Sequence, residues 1–418
     1  MSAKMNSYGL QLTLLFVLGI IELCSCSPKI SQVTINPNCG QYCESSNVTT
    51  VYLRTESSTD SLHYVWDFSG KPSVLLAVTI PSAQLEVDWK KFLWGKEESL
   101  KFTEAPSYTF GITVLKIYEF NDVNDTGYMD NVRPENINVL HPKHFRWDRK
   151  SYSQNNDYFE LSMEGTDYKS GSIQRNGTIK VLLNRFWKLD HSDIMPHMLH
   201  TENATQIDII IDNFQTNSSF ENSRFAVELL IIADHNLNST MKIDVKKTLD
   251  DEHTPGIFEM VEITTPVCEV VNREEMCDKR IGEGYLQWRP VSYTDAQRDV
   301  TNSTEAIHYP LTPVANHAQS ANNSLLYSYY GYNIENLLMQ KVVVSLGSKG
   351  DGFYKKSNYS TWTFTIGYGS PPAEKFSLLV IMIISIGLGL PVVIMVAVGI
   401  YVCVRRRCTR SHTLSLNS

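Results

Sequence analysis

The chain has 418 residues, 42% of them apolar and 20% charged, with a formal net charge of −8. This is chain enough for one or two domains with substantial cores. An acidic balance excludes the nucleic-acid binders, whose affinity rests on a surplus of Lys and Arg facing phosphates.

Lys4, the apolar run 10–21 and the small residues of Cys24-Ser25-Cys26 read as a signal peptide over residues 1–26, with Ser27 as the mature start. Residues 27–375 then form a lumenal ectodomain. With Lys4 and Glu22 in the signal and Arg405, Arg406, Arg407 and Arg410 in the tail, 32 of 37 basic and 44 of 45 acidic residues remain, a net charge of −12. Ten of the eleven histidines lie in the same segment. Their protonation in an acidic organelle would cancel most of that charge.

The ectodomain reads as mainly β. Residues 74–80 (VLLAVTI) are short, apolar and β-branched between Pro72 and Pro81, as a buried strand should be. In 108–120, Tyr108, Phe110, Ile112 and Val114 alternate onto one face. Segments 177–186, 206–214 and 225–233 read similarly. Near the end, Trp362, Phe364, Ile366 and Tyr368 alternate with Thr361, Thr363, Thr365 and Gly367, a strand with one buried face. Helical periodicity is confined to 82–93 and, weakly, 333–340. Many short strands between polar turns predict β-sandwich-like sheets. Two packed β units could meet at a seam near 192–202. The polar stretch 299–324 reads as a long exposed loop. The tyrosines at 327, 329, 330 and 332 fit either an interface or a core-lining strand.

Nine acceptor sequons begin at Asn47, Asn124, Asn176, Asn203, Asn217, Asn238, Asn302, Asn322 and Asn358, with none in the tail. So many in one segment predict a surface covered in N-linked glycans. Cys39, Cys43, Cys268 and Cys277 share the oxidising compartment. Four cysteines allow three pairings, and nearness in sequence favours Cys39–Cys43 with Cys268–Cys277.

Three constellations could carry chemistry. His191, Asp193, His197 and His200 approach metal-ligand spacing, but Pro196 interrupts any helix there, and a polar loop is the better reading. Asp250, Asp251, Glu252 and His253 are consecutive, whereas a calcium loop spaces its oxygens around a glycine turn, so they read as a turn. His63 and Asp67 share a strand face and resemble a catalytic fragment. No activated nucleophile and no known catalytic motif accompanies them, so a structural pair is favoured. The sequence predicts no enzyme, no metal and no cofactor.

Residues 376–404 contain no charge over 29 positions and run into Arg405-Arg406-Arg407. That exceeds the roughly 20 residues needed to cross a bilayer, and the basic cluster predicts a cytoplasmic tail, 405–418. The topology is single-pass type I. Ser385 and Gly389 form a small-residue pair of the kind that lets helices pack closely. Cys403 and Cys408 stand where palmitoylation occurs.

Leu62-His-Tyr-Val-Trp66 followed by 74–80 and Leu85-Glu-Val-Asp-Trp89 resembles the early region of the glycosylated lysosomal membrane protein family. Leu249-Asp-Asp-Glu-His-Thr-Pro255 and Gln287-Trp-Arg-Pro-Val-Ser-Tyr293 resemble later stretches of that family. So do the sequons Asn124 and Asn176, in their order. The resemblance implies a non-enzymatic accessory subunit of a lysosomal major-facilitator transporter that exports dipeptides. It also implies that the ectodomain shields the transporter from lumenal proteases. The tail departs from the family in carrying neither a tyrosine nor a dileucine signal. Self-association is also open, as are two other classes: a cell-surface adhesion or receptor glycoprotein, and a membrane-tethered lumenal hydrolase.

Overall fold

The computed structural model describes residues 30–44, 48–130, 132–155, 157–250, 256–271, 274–278, 284–374 and 376–414. The predicted signal peptide, the Asn47 sequon and residues 251–255 of the acidic turn lie outside them.

Eighteen principal strands alternate in chain order. They are β1 (Ile30–Ile35), β2 (Thr50–Glu56), β3 (Ser61–Asp67), β4 (Ser73–Thr79), β5 (Tyr108–Asn121) and β6 (Ile137–Leu140). Next come β7 (Arg146–Gln154), β8 (Tyr158–Thr166), β9 (Thr178–Phe186), β10 (Ala204–Asp212), β11 (Ser223–Asn236) and β12 (Lys242–Asp250). The last six are β13 (Gly256–Thr264), β14 (Gly284–Trp288), β15 (Val291–Tyr293), β16 (Ser303–His308), β17 (Leu337–Leu346) and β18 (Tyr359–Tyr368). Four helices matter here: α1 (Trp89–Leu93), α2 (His317–Ala321), α3 (Leu325–Tyr330) and the long α4 (Leu378–Leu414).

The strands build two antiparallel sheets. The first runs β1-β2-β3-β4-β5-β11-β17, with β6 beside the second half of β5. The second runs β7-β8-β9-β10-β18-β14-β13-β12. β16 joins them, pairing with β17 of the first sheet and with β15, which pairs with β18 of the second. The facing sides share one core. Trp66, Phe110 and Leu229 from the first sheet meet Leu161, Ile209, Trp288 and Trp362 from the second. The expected sandwich is therefore present.

The first sheet is covered on its outer side as well. Leu75, Ala77, Leu230 and Met339 pack there against Trp89 and Phe92 of α1 and Leu325 and Leu326 of α3. This explains why β4 is buried along its whole length: Val74, Leu76 and Val78 face the sandwich, and Leu75 and Ala77 face the helices. Cys39 and Cys43 form a disulfide with Cα atoms 5.7 Å apart, and Trp89 ties that loop down through Nε1 to the Pro37 carbonyl at 2.9 Å. In β5 the pairing with β11 skips one residue, since Glu228 faces Lys116 and Leu229 faces Val114. Leu115 is thus a bulge residue, and the alternation that buries Tyr108, Phe110 and Ile112 changes phase to bury Ile117.

Several local readings change. Over 82–93 only α1 is helical, capped by Asp88 accepting from the Lys91 amide at 3.1 Å. Before it, Leu85–Val87 pairs with Leu100–Phe102 as a small ribbon. Over 333–340 a short 3₁₀ turn gives way to β17, because Leu338 and Val342 reach the sandwich while Leu337 and Met339 reach the outer layer. The tyrosine run is neither strand nor uniform surface. It is α3 and the turn after it, with Tyr330 buried and Tyr332 exposed. Residues 299–324 are not a loop but contain β16, the strand that joins the sheets. The region 192–202 is an excursion between β9 and β10, which pair directly in one sheet, so no division between units falls there.

Candidate functional site

His63 and Asp67 do not meet as a pair. Tyr52 donates its hydroxyl to Nδ1 of His63 at 2.7 Å, and Nε2–H donates to Oγ1 of Thr79 at 2.8 Å. The direction follows from Thr79, whose own proton goes to the Ile80 carbonyl at 2.9 Å. Burial, with Arg54 nearby, pushes the imidazole down to about 4. Asp67 instead accepts from Thr50 (3.0 Å) and Ser69 (2.7 Å), and burial raises it to about 6. Both groups brace the first sheet through these hydroxyl partners, each bonded to only one of the two.

The histidines of 191–200 also part. His191 Nε2 contacts Glu374 Oε2 at 2.7 Å. His197 Nδ1 bonds the Ser192 carbonyl at 2.8 Å, and His200 Nδ1 the Lys188 carbonyl at 3.0 Å. His200 is stacked on Phe186 and pushed by burial to about 4. Among the described residues no three His, Cys, Asp or Glu converge on a metal position. Asp250 pairs with Gly256 across β12 and β13, and the rest of the acidic run lies outside the described residues. Cys268 and Cys277 stand opposite each other in the ribbon formed by 267–271 and 274–278.

The notable geometry is at the foot of the sandwich, where the chain leaves β18 for α4. The segment 370–374 is strapped back onto the second sheet. Gln287 donates to the Pro372 carbonyl at 3.0 Å, and the nearly buried Glu374 receives His191 and, at 3.4 Å, Arg289. Arg289 also lies over the Phe258 ring at 3.5 Å. Only four steps of chain separate Glu374 from Leu378, a reach of at most about 14 Å. Beside the strap is a hollow of about 270 Å³ lined by Met195, Pro196, Phe258, Arg289, Tyr293 and Val300. Around it Ile194, Ile257 and Val300 are exposed by 54%, 73% and 71%. Sequence reasoning missed Glu374 and Arg289. Arg289 sits in the stretch 287–293 that carries the family resemblance, but nothing there marks it as an ion-pair partner, and the two contacts of Glu374 span 85 and 183 residues.

The segment Leu378–Arg406 is 29 residues long with a mean hydropathy of 2.8 and no part of it buried in the protein. It is the one helix among the described residues long and apolar enough to cross a membrane. Ser385, Gly387 and Gly389 are exposed on it, and Pro391 follows.

The family model for glycosylated lysosomal membrane protein matches residues 49–409. The chain belongs to the glycosylated lysosomal membrane protein family. Glycosylated lysosomal membrane protein B of Xenopus laevis is 28% identical over 84% of each chain. The family's protein in Danio rerio is 28% identical over 86% of this chain and 85% of its own, and that in Homo sapiens is 21% identical over 79% and 78%. Membership makes the chain a lysosomal membrane protein by family, and its single apolar helix fits a single-pass topology.

For a family named for its glycans, the acceptor asparagines are the site to place. Asn124, Asn176, Asn238, Asn322 and Asn358 are exposed, and Asn203, Asn217 and Asn302 are half-buried. None of these eight is in the core. Gly177, inside the Asn176 sequon, has φ +95°, and a Cβ there would fall 2.2 Å from the Asn213 carbonyl oxygen. That glycine serves the backbone crossing, independently of the sequon.

Proposed function

We propose that the chain is a non-enzymatic accessory subunit. It stands beside a multi-span transporter of the major-facilitator class in the lysosomal membrane and shields the transporter's lumenal surface from proteolysis. The observation that carries this reading is the strap. An ectodomain free to swing on a flexible stalk would cover nothing in particular, whereas Glu374 holds this one within about 14 Å of its helix. The exposed Ile194, Ile257 and Val300 beside the strap offer apolar surface of the kind found in contacts between proteins. Ser385 and Gly389 supply a face on which a neighbouring helix can pack closely. Glycans on the acceptor asparagines are bulky and hydrated and hinder proteases over the rest of the surface.

The test is purification of the full-length protein from its native membrane in mild detergent, with mass spectrometry of what accompanies it. A stoichiometric multi-span transporter is expected, and its lifetime should shorten when the sequons are removed. Recovery of the protein alone, under conditions that keep other membrane complexes whole, overturns the reading. Partner abundance that does not respond to loss of the ectodomain also counts against it.

A further inference from the structure

A cavity of about 700 Å³ opens on the outer side of the first sheet, between β5, the turn Pro142–His144 and the segment 313–323. Six basic side chains line it, Lys71, Lys116, Lys143, Lys341, His141 and His144, and no Asp or Glu does. In an acidic chain this is a local inversion of charge. The bulge at Leu115 contributes by turning Lys116 outward. Directly across on β11, Glu228 lies between Lys116 (3.4 Å) and Lys341 (3.3 Å) and offsets one positive charge of that pair. Among the described residues no carboxylate lies within ion-pair distance of Lys71 or Lys143.

Lys71 is the decisive group. It is 6% exposed, and its ammonium donates to the Ser320 carbonyl at 2.7 Å. Its backbone amide donates to the Asn323 carbonyl at 2.9 Å. Gly70 permits this approach, since a Cβ at that position would sit 2.4 Å from the same carbonyl oxygen. A buried cation held this firmly without a counter-charge is costly in an isolated fold. Burial and the neighbouring Lys143 and Lys116 draw it down to about 8. At the same cavity the buried Nδ1 of His144 has no hydrogen-bond partner. The amides of Asn316, Gln319 and Asn323 complete the wall and can both donate to and accept from hydroxyl groups.

The geometry points to an anion-binding site for a small hydroxyl-bearing phosphate or sulfate ester, with the oxyanion against Lys71, Lys143 and His144 and the hydroxyls against the amide wall. This site is independent of the partner reading above, because it lies on the outer layer of the first sheet and the strap lies on the second. The ligand also couples to acidity. His141 faces His144, Lys116, Lys143 and Lys71, and His144 faces Lys143, His141 and the Tyr168 ring. Burial and these cations lower both imidazoles. A bound anion favours their protonated forms, so affinity rises as pH falls.

The test is calorimetric titration of the full-length protein in detergent with inorganic sulfate, inorganic phosphate, glucose 6-phosphate and glucose. It is run at about pH 7.5 and about pH 5, in the natural chain and in Asn322→Gln, which removes an acceptor asparagine from the cavity wall. Saturable binding of the three anions and none of glucose is expected, with glucose 6-phosphate tightest. Inorganic sulfate, whose own charge does not change over this range, should bind more tightly at the lower pH. Lys71→Met should weaken binding by about tenfold or more. The exposed Lys143→Ala should weaken it several-fold with the melting temperature unchanged. The inference is overturned if no anion saturates at concentrations on the order of 1 mM even in Asn322→Gln, or if Lys143→Ala binds as the natural chain does. Equal affinity for phosphate and glucose 6-phosphate overturns the hydroxyl-bearing assignment.

Discussion

His63→Gln should flatten the acid sensitivity of this fold. The imidazole is fully buried and donates and accepts in one fixed sense, Tyr52 to Nδ1 and Nε2 to Thr79. An added proton would sit on Nδ1, against a hydroxyl that already donates there. The folded value of about 4 lies below the ordinary 6.5, so the unfolded chain takes up the proton first. The contribution to stability is therefore whole above pH 6.5 and drains away as pH falls towards 4. Two and a half units correspond to about 3 kcal/mol in all, of which about 2 kcal/mol is already lost at pH 5. The assay is denaturant unfolding followed by tryptophan fluorescence at about pH 7.5, 6 and 5. The variant should start less stable at pH 7.5, and the gap between the two proteins should close by about 2 kcal/mol at pH 5. Parallel curves over that range would refute the reasoning, because they would mean that His63 takes its proton as readily in the fold as out of it.

Other outcomes follow from the same structure. Arg224 is buried and holds Asp122, Asp125 and Asp351 at 2.7–2.8 Å; Arg224→Met strands those carboxylates and should cost about 3–5 kcal/mol, read as a lowered unfolding midpoint. Gly177→Ala keeps the Asn176 sequon intact yet drives a methyl into the Asn213 carbonyl, so thermal stability should fall while glycan occupancy at Asn176, mapped by peptide mass, does not. Non-reducing peptide mapping should return Cys39 linked to Cys43 and Cys268 linked to Cys277, since each of the latter faces the other across its ribbon; a Cys43–Cys268 peptide would refute this pairing.

Period-two alternation carried far in the sequence, because β10 and β18 put apolar side chains on the sandwich face and polar ones such as Asp208 and Thr363 on the other, even though that other face is buried as well rather than exposed. It failed where a second layer covered the other face. β17 lies between the sandwich core and the outer helices, so Leu337 through Met339 are apolar at consecutive positions and mimic a helix. The segment 299–324 looked like a loop because β16 is short and half exposed, a joining strand with little apolar content. The resemblance to the family was legible in short stretches that now lie on β3, β4 and β14–β15. The basic cavity was not, since Lys71, Lys116, Lys143 and Lys341 come from four separate parts of the chain. Single lysines at those spacings carry no signal until a bulge and a glycine contact bring them to one wall. His63 and Asp67 misled for the opposite reason. Residues i and i+4 of a strand do share a face, but their side chains are too far apart to bond without a third group between them.

The position of β18 sets an order on the making of the molecule. It lies between β10 on one edge and β14 with β15 on the other, so the second sheet stays in two halves until residue 368 has been made. By then the apolar helix is next in line at the membrane. At roughly 5–20 residues per second, synthesis leaves the earlier strands waiting for tens of seconds. During that wait two of the three acceptors that the finished fold half-covers, Asn203 on the approach to β10 and Asn217 before β11, are as open as any exposed asparagine. Late closure thus leaves open to any glycosyl transfer positions that the completed surface would shelter.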